Sequence, residues 1–234
     1  MSDTRSPETQ SFETQSSEKR RRRGSALALL VAPGLMLAAH LVQATPQQHD
    51  TASELASIAA APGRAELSTL VGFAGLVLLV PAFLGLARPL WDRRPRLALV
   101  GASMSITGLL GLVALMGSGP VTVAMTAEVA DRARMIALTD RYESSATVGV
   151  WVALMLLGYS VGPLVLAVGL WRSGWSWVAP AALAAGLALM VADAGRWPLA
   201  AGFACTWVGL GVVGLRLWRT AVPVADVRLA GAPA

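Results

Sequence analysis

Six side chains have the polarity and the placement to build a site: His40, Glu66, Tyr142, Tyr159, Asp193 and Arg196. Each lies within or beside a long apolar stretch, where a polar group is costly unless it is paired or put to use. His40 has the widest chemical range, because an imidazole inside an apolar span can donate a hydrogen bond across helices or ligate haem or a metal. A haem clamped by two imidazoles needs a second histidine, and the other one, His49, lies in a loop nine residues away. His49, Asp50 and Glu54 offer metal-ligating atoms at the same surface, but their spacing matches neither HExxH nor a comparable motif. The simplest reading of His40 is an interhelical hydrogen-bond donor. Tyr159 and the single cysteine, Cys205, read as packing residues, while Asp193 and Arg196 are placed to pair across a tight turn. One cysteine supports no internal disulfide, no thiolate zinc cluster and no CxxCH haem attachment. These residues make no catalytic constellation, and no metal or cofactor is expected.

The elements that carry them are apolar helices. Of the 234 residues 55% are hydrophobic and only 14% charged, against about 25% charged in a soluble domain. A globule of this composition would not dissolve. The net charge of +5 would suit a nucleic-acid partner, but every basic residue except Lys19 is an arginine, and most lie between apolar runs or before the first. That placement reads as membrane topology, so no nucleic acid is expected.

Two apolar runs, 67–87 and 97–117, flank a turn that holds Arg88, Asp92, Arg93, Arg94 and Arg96. Each run is long enough to cross a hydrocarbon layer of roughly 30 Å as a helix, and the arginines place the turn in the cytoplasm. The remaining segments take their orientation from it. Residues 1–24 are polar and basic, ending on Lys19, Arg20, Arg21, Arg22 and Arg23, and read as a disordered cytosolic tail. The first span is 25–44, with Pro33 and Gly34 at its middle; the small residues Val42 and Ala44 also fit a signal-peptidase site, although the run is longer than a usual signal core. Further spans follow at 148–170, 177–194 and 198–215, and a short cytosolic tail occupies 220–234. Between the third and fourth spans, 121–142 mixes apolar and charged residues at helical spacing, with Glu128 and Arg132 four apart. It reads as an extracytoplasmic amphipathic helix or a lid. The fold class is thus all-α: a polytopic six-helix transmembrane bundle filling 25–219.

Charge counts test this map. Fourteen of the 19 basic residues fall on the cytoplasmic side, leaving Arg64, Arg132, Arg134, Arg141 and Arg196 outside. Tryptophans collect at the span ends, apart from Trp207, which packing explains. Small residues on one face, Gly101 with Gly108, and the pairs Ala181 with Ala185 and Ala182 with Gly186, permit close helix approach and a homodimer or another membrane-protein partner. Proline-to-arginine runs at 81–88 and 163–172 suggest a faint internal repeat.

The hydropathy pattern, the Ala/Gly/Arg usage and the stretch from Glu66 to Arg96 resemble uncharacterised multi-spanning membrane proteins of high-GC actinobacteria. The resemblance implies a bacterial plasma membrane and carries no catalytic or binding assignment; membrane lipid is the immediate partner expected of the apolar spans. No Asp, Glu, Lys or Arg lies in the middle of a span, which disfavours a proton- or ion-coupled carrier. The expected role is accessory, sensing or scaffolding, ahead of a small-molecule or lipid transporter and then of a membrane enzyme or electron carrier.

Overall fold

The computed structural model describes residues 7–43, 51–126, 131–192 and 196–220. Among these every regular element is helical: α1 (Pro7–Val42), α2 (Thr51–Ala60), α3 (Pro62–Trp91), α4 (Pro95–Met116), α5 (Gly119–Thr126), α6 (Arg132–Glu143), α7 (Ala146–Leu154), a π-helical segment (Met155–Val161), α8 (Gly162–Trp171), α9 (Val178–Val191) and α10 (Arg196–Thr220). Five stretches are long and apolar enough to span a membrane: Arg20–Val42, Pro62–Trp91, Pro95–Ala124, Ala146–Trp171 and Trp197–Thr220. The apolar helix Val178–Met190 is shorter. With 14 residues, α9 reaches only about 21 Å at 1.5 Å per residue.

Prolines punctuate the chain where helices start. Pro62 and Pro95 stand in the first turns of α3 and α4, where the missing N–H is not needed. Ser145 caps α7 by accepting a hydrogen bond from the Val148 amide. Pro81 and Pro33 lie inside α3 and α1 without ending them, as apolar surroundings permit.

α1 packs along α3 on one side and α10 on the other; α9 covers α10, and α4 lies between α3 and the unit formed by α7, the π segment and α8. Because α8 also touches α3 and α9, the row closes on itself. The core runs through all these elements: Leu29 and Ala32 of α1, Leu79, Phe83, Leu86 and Leu90 of α3, Leu166 and Leu170 of α8, and Leu210 and Val213 of α10 are buried. α1 thus supplies core, which cleavage after Ala44 would take away.

One expectation changes here. The polar leader, read as disordered, is helical from Pro7 onward and continuous with the first span. Its Glu, Gln, Ser and Arg residues tolerate a helix, no glycine or proline interrupts 8–23, and Glu18 pairs with Arg22 one turn away. Of the amphipathic helix expected over 121–142, the described part is helical in α5 (Gly119–Thr126) and α6 (Arg132–Glu143). Glu128, the expected partner of Arg132, lies outside the described residues.

One end of the bundle gathers the basic turns. An Arg93 N–H donates to the Ser173 carbonyl at 2.9 Å, which ties the α3–α4 turn to the α8–α9 turn. The Arg216 guanidinium lies 4.7 Å from the centre of the Trp175 ring, which brings the end of α10 to the same place. The candidate site lies at the opposite end, where α3 begins.

A candidate binding vestibule between the helix ends

A cavity of about 400 Å³ opens between the end of α1, the start of α3, the α4–α5 junction and the start of α10, beneath α2 and α6. His40, Tyr142, Glu54 and Glu143 line it. Of the six residues singled out by sequence, His40 and Tyr142 therefore meet here, although 102 positions separate them. His40 lies 5.5 Å from Phe203 of α10, ring centre to ring centre. Tyr142 comes from the last turn of α6, half exposed.

The others go elsewhere. Glu66 is exposed one turn into α3 and faces a separate hollow of about 530 Å³ with Pro62, Leu70 and Pro120. Tyr159 sits in the π segment with its ring edge-on to Phe83, centroids 6.3 Å apart, as a packing residue. Asp193 lies outside the described residues, and Arg196 opens α10. His49 and Asp50 also lie outside them, and no three metal-ligating side chains gather among the described residues.

Sequence reasoning missed the pairing of Glu54 with Glu143. No spacing rule joins positions 89 residues apart on two short helices; the link is made by the Thr51 hydroxyl, which donates to an Asp140 carboxylate oxygen at 2.5 Å and holds α2 to α6. Glu54 is half-buried, and its carboxyl is pushed above the usual range first by burial and then by the charge of Glu143.

The hydroxyls around these acids have a shared orientation. Ser68 donates to the Ala39 carbonyl at 2.9 Å, Thr69 to Ala65 at 2.9 Å, Ser118 to Leu115 at 2.8 Å and Thr122 to Ser118 at 3.1 Å. A hydroxyl has one proton, and in each of these four it is spent on the backbone. What remains toward the cavity is lone pairs. Together with two carboxylates they make a lining that accepts hydrogen bonds and favours positive charge. Gln43, Thr51 and Thr139 add further polar groups, and the apolar part of the wall includes Met36, Leu112, Leu115, Met116, Leu199 and Phe203.

The floor is closed. Gly72 packs so near Met116 that a Cβ there would come to 2.5 Å from the thioether methyl. Below it Leu76, Leu79, Phe83, Leu86 and Leu90 follow down α3, all buried. The vestibule thus ends on close-packed apolar core.

The chain matches no protein-family model, no curated protein and no solved structure.

Proposed function

We propose that the chain is a multi-pass protein of a bacterial plasma membrane that senses or assists without chemistry of its own, and that the vestibule is where it receives its ligand. One observation carries this reading: an acceptor-rich, partly acidic cavity lies at one end of the bundle over an apolar floor. A cavity that opens on one side and stops at packed leucines suits recognition better than passage, since a carrier needs a polar path near the midplane. The ligand it suits is a small organic cation: the carboxylates of Glu54 and Glu143 take the charge, and the leucine, methionine and phenylalanine walls take the apolar body.

The topology that goes with this reading has six spans, with α9 as the short one and both termini cytoplasmic. Support comes from the arginines, which cluster at the end where the α3–α4 turn, the α8–α9 turn and the end of α10 meet. Signals received at the vestibule would reach the cytosol through α1 and α3, which run from one end to the other. Ala181 and Ala185 stay exposed on α9, a surface suited to a membrane-protein partner or a second copy.

The test is a titration of the full chain in phosphatidylcholine nanodiscs with tetraethylammonium and, separately, with benzoate. The expected result is a rise in melting temperature with the cation and none with the anion. Equal shifts, or none, would overturn the ligand class. Labelled tetraethylammonium should not enter sealed vesicles carrying the protein faster than protein-free vesicles; uptake above that level would replace sensing by transport.

A further inference from the structure

The arginine end of the bundle holds a second cavity, a groove of about 630 Å³ between α1, α3 and α10. Its charged lining comes from separate elements: Arg21 and Arg22 from α1, Arg88 from α3, with Glu18 and Asp92 beside them. Glu18 is committed to Arg22. Arg21 and Arg88 are both exposed and have no ion-pair partner among the described residues. Two guanidiniums from different helices thus face one groove, each presenting a planar fork of donors that matches phosphate oxygens.

The groove has the other marks of a headgroup site. Trp91 and Trp175 form part of its wall, and amphipathic indoles of this kind sit at the level of lipid headgroups. Leu84 is exposed one helical turn from Arg88, on the same face of α3. It offers an apolar surface for an acyl chain beside that guanidinium. Ser25 and Gly85 lie at the bottom, where a Cβ on Gly85 would collide with the Ser25 side chain, so α1 and α3 close the groove from below.

We infer that this groove binds the phosphodiester of an anionic membrane lipid, with Arg21 and Arg88 as the phosphate ligands and an acyl chain along the exposed Leu84. The inference needs only that the apolar helices lie in a membrane, and it is independent of the vestibule. Basic pockets between transmembrane helices bind anionic headgroups in this manner, whereas a diffuse basic surface attracts them without geometry.

The experiment is native mass spectrometry of the full chain from mixed nanodiscs of phosphatidylglycerol and phosphatidylcholine, with retained lipid counted. Phosphatidylglycerol should be retained over phosphatidylcholine, and its apparent affinity should fall about 5-fold in R21Q, about 5-fold in R88Q and about 25-fold in the double variant. R88K should also lose affinity, because an ammonium keeps the charge but not the fork. R96Q, which removes an exposed charge that does not line the groove, should change retention less than 2-fold. An equal loss in R96Q and R88Q would overturn the site in favour of a diffuse charge effect. Stabilisation by millimolar inorganic phosphate in pure phosphatidylcholine, undiminished when phosphatidylglycerol is added, would overturn the lipid as the source of the phosphate. Variants that lose their melting transition are replaced by R21K with R88K, read in the same spectrum.

Discussion

Gly108 of α4 and Gly158 of the π segment meet backbone against backbone: a Cβ built on either would lie inside the main chain of the other's helix. The same seam continues to Gly101 against Leu166 and to Gly162 against Ser105, whose hydroxyl donates to the Gly101 carbonyl at 2.7 Å. Close backbone approach of this kind is how helices gain van der Waals contact in lipid, where no hydrophobic force presses them together. G108A should therefore destabilise by about 1–3 kcal/mol, since neither backbone can yield without opening the seam. G149A, at a glycine on α7 with nothing within 4 Å of the added carbon, should be neutral or stabilising by up to about 1 kcal/mol. Melting both variants in the same micelles checks the pair; similar losses would refute the seam.

Trp207 has a reason beyond packing for lying inside a span. Its indole N–H donates to the Leu30 carbonyl at 2.7 Å, which binds α10 to α1. Gly34 leaves room for the ring, since a Cβ there would already touch it at 3.4 Å. W207F keeps the aromatic bulk and removes only the donor, so it should cost about 1 kcal/mol. Reversible unfolding in mixed micelles measures this; an unchanged transition midpoint would leave packing as the whole account.

Glycine spacing and apolar length made the seam and the long helices legible, because both follow from residue type along one helix. Gly101 and Gly108 fall on one face by helical arithmetic alone, and Ala182 with Gly186 does meet α10, where Gly209 approaches Ala182 and Gly186 approaches Gly202. The vestibule was half legible. His40 and Tyr142 stand out as polar groups beside apolar runs, but Glu54 reads only as a metal-ligand candidate beside His49 and Asp50, and Glu143 as an ordinary loop acid, until α2 folds over α6. Such a pairing depends on the path of the chain between helices, and local sequence does not encode that path. The leader misled for the opposite reason: it lacks the apolar residues of a folded domain, yet being joined to a long helix removes the nucleation cost that would otherwise keep it unfolded.

Glu54 gives the vestibule a pH dependence with a definite sign. Burial first, and Glu143 second, raise its pKa above the ordinary 4.5, so the folded chain holds that proton more tightly than the unfolded chain does. Between the two values the folded state binds more protons, and the stability this contributes is present at lower pH and lost as pH rises through the raised pKa. E54Q should remove this loss, so its melting temperature should fall less than that of the parent chain as pH rises from about 4.5 toward neutrality. E143Q should bring the Glu54 pKa part of the way back, leaving the contribution of burial. Cation binding should run the other way, strengthening as Glu54 ionises. Tetraethylammonium titrations across the same pH range should show affinity rising with pH more steeply in the parent chain than in E54Q, which keeps Glu143 and His40; equal slopes would remove Glu54 from the site.

The short helix α9 decides the side on which the chain ends. Its 14 residues reach only about 21 Å of a hydrocarbon layer of roughly 30 Å, and such a mismatch is met by thinning the bilayer or by anchoring residues at the helix ends. The structure supplies anchors: Trp175 and Trp177 stand just before α9, and Gly186 and Gly209 let α9 lie tightly against the much longer α10. If α9 crosses, Arg216 and Arg219 return to the side of Arg88, Arg93, Arg94 and Arg96, as the positive-inside rule requires. A phosphatase reporter, active only outside the cytoplasm, should then be silent when fused after residue 220 and active when fused between α9 and α10, at residue 194. Activity at both fusions would mean that α9 and α10 do not form a hairpin through the bilayer, and the even number of spans would fall. Replacing Arg93, Arg94 and Arg96 with Gln should weaken the orientation of α3 and α4, seen as a second reporter population at a fusion in that turn, because the arginines rather than the apolar helices carry the sidedness.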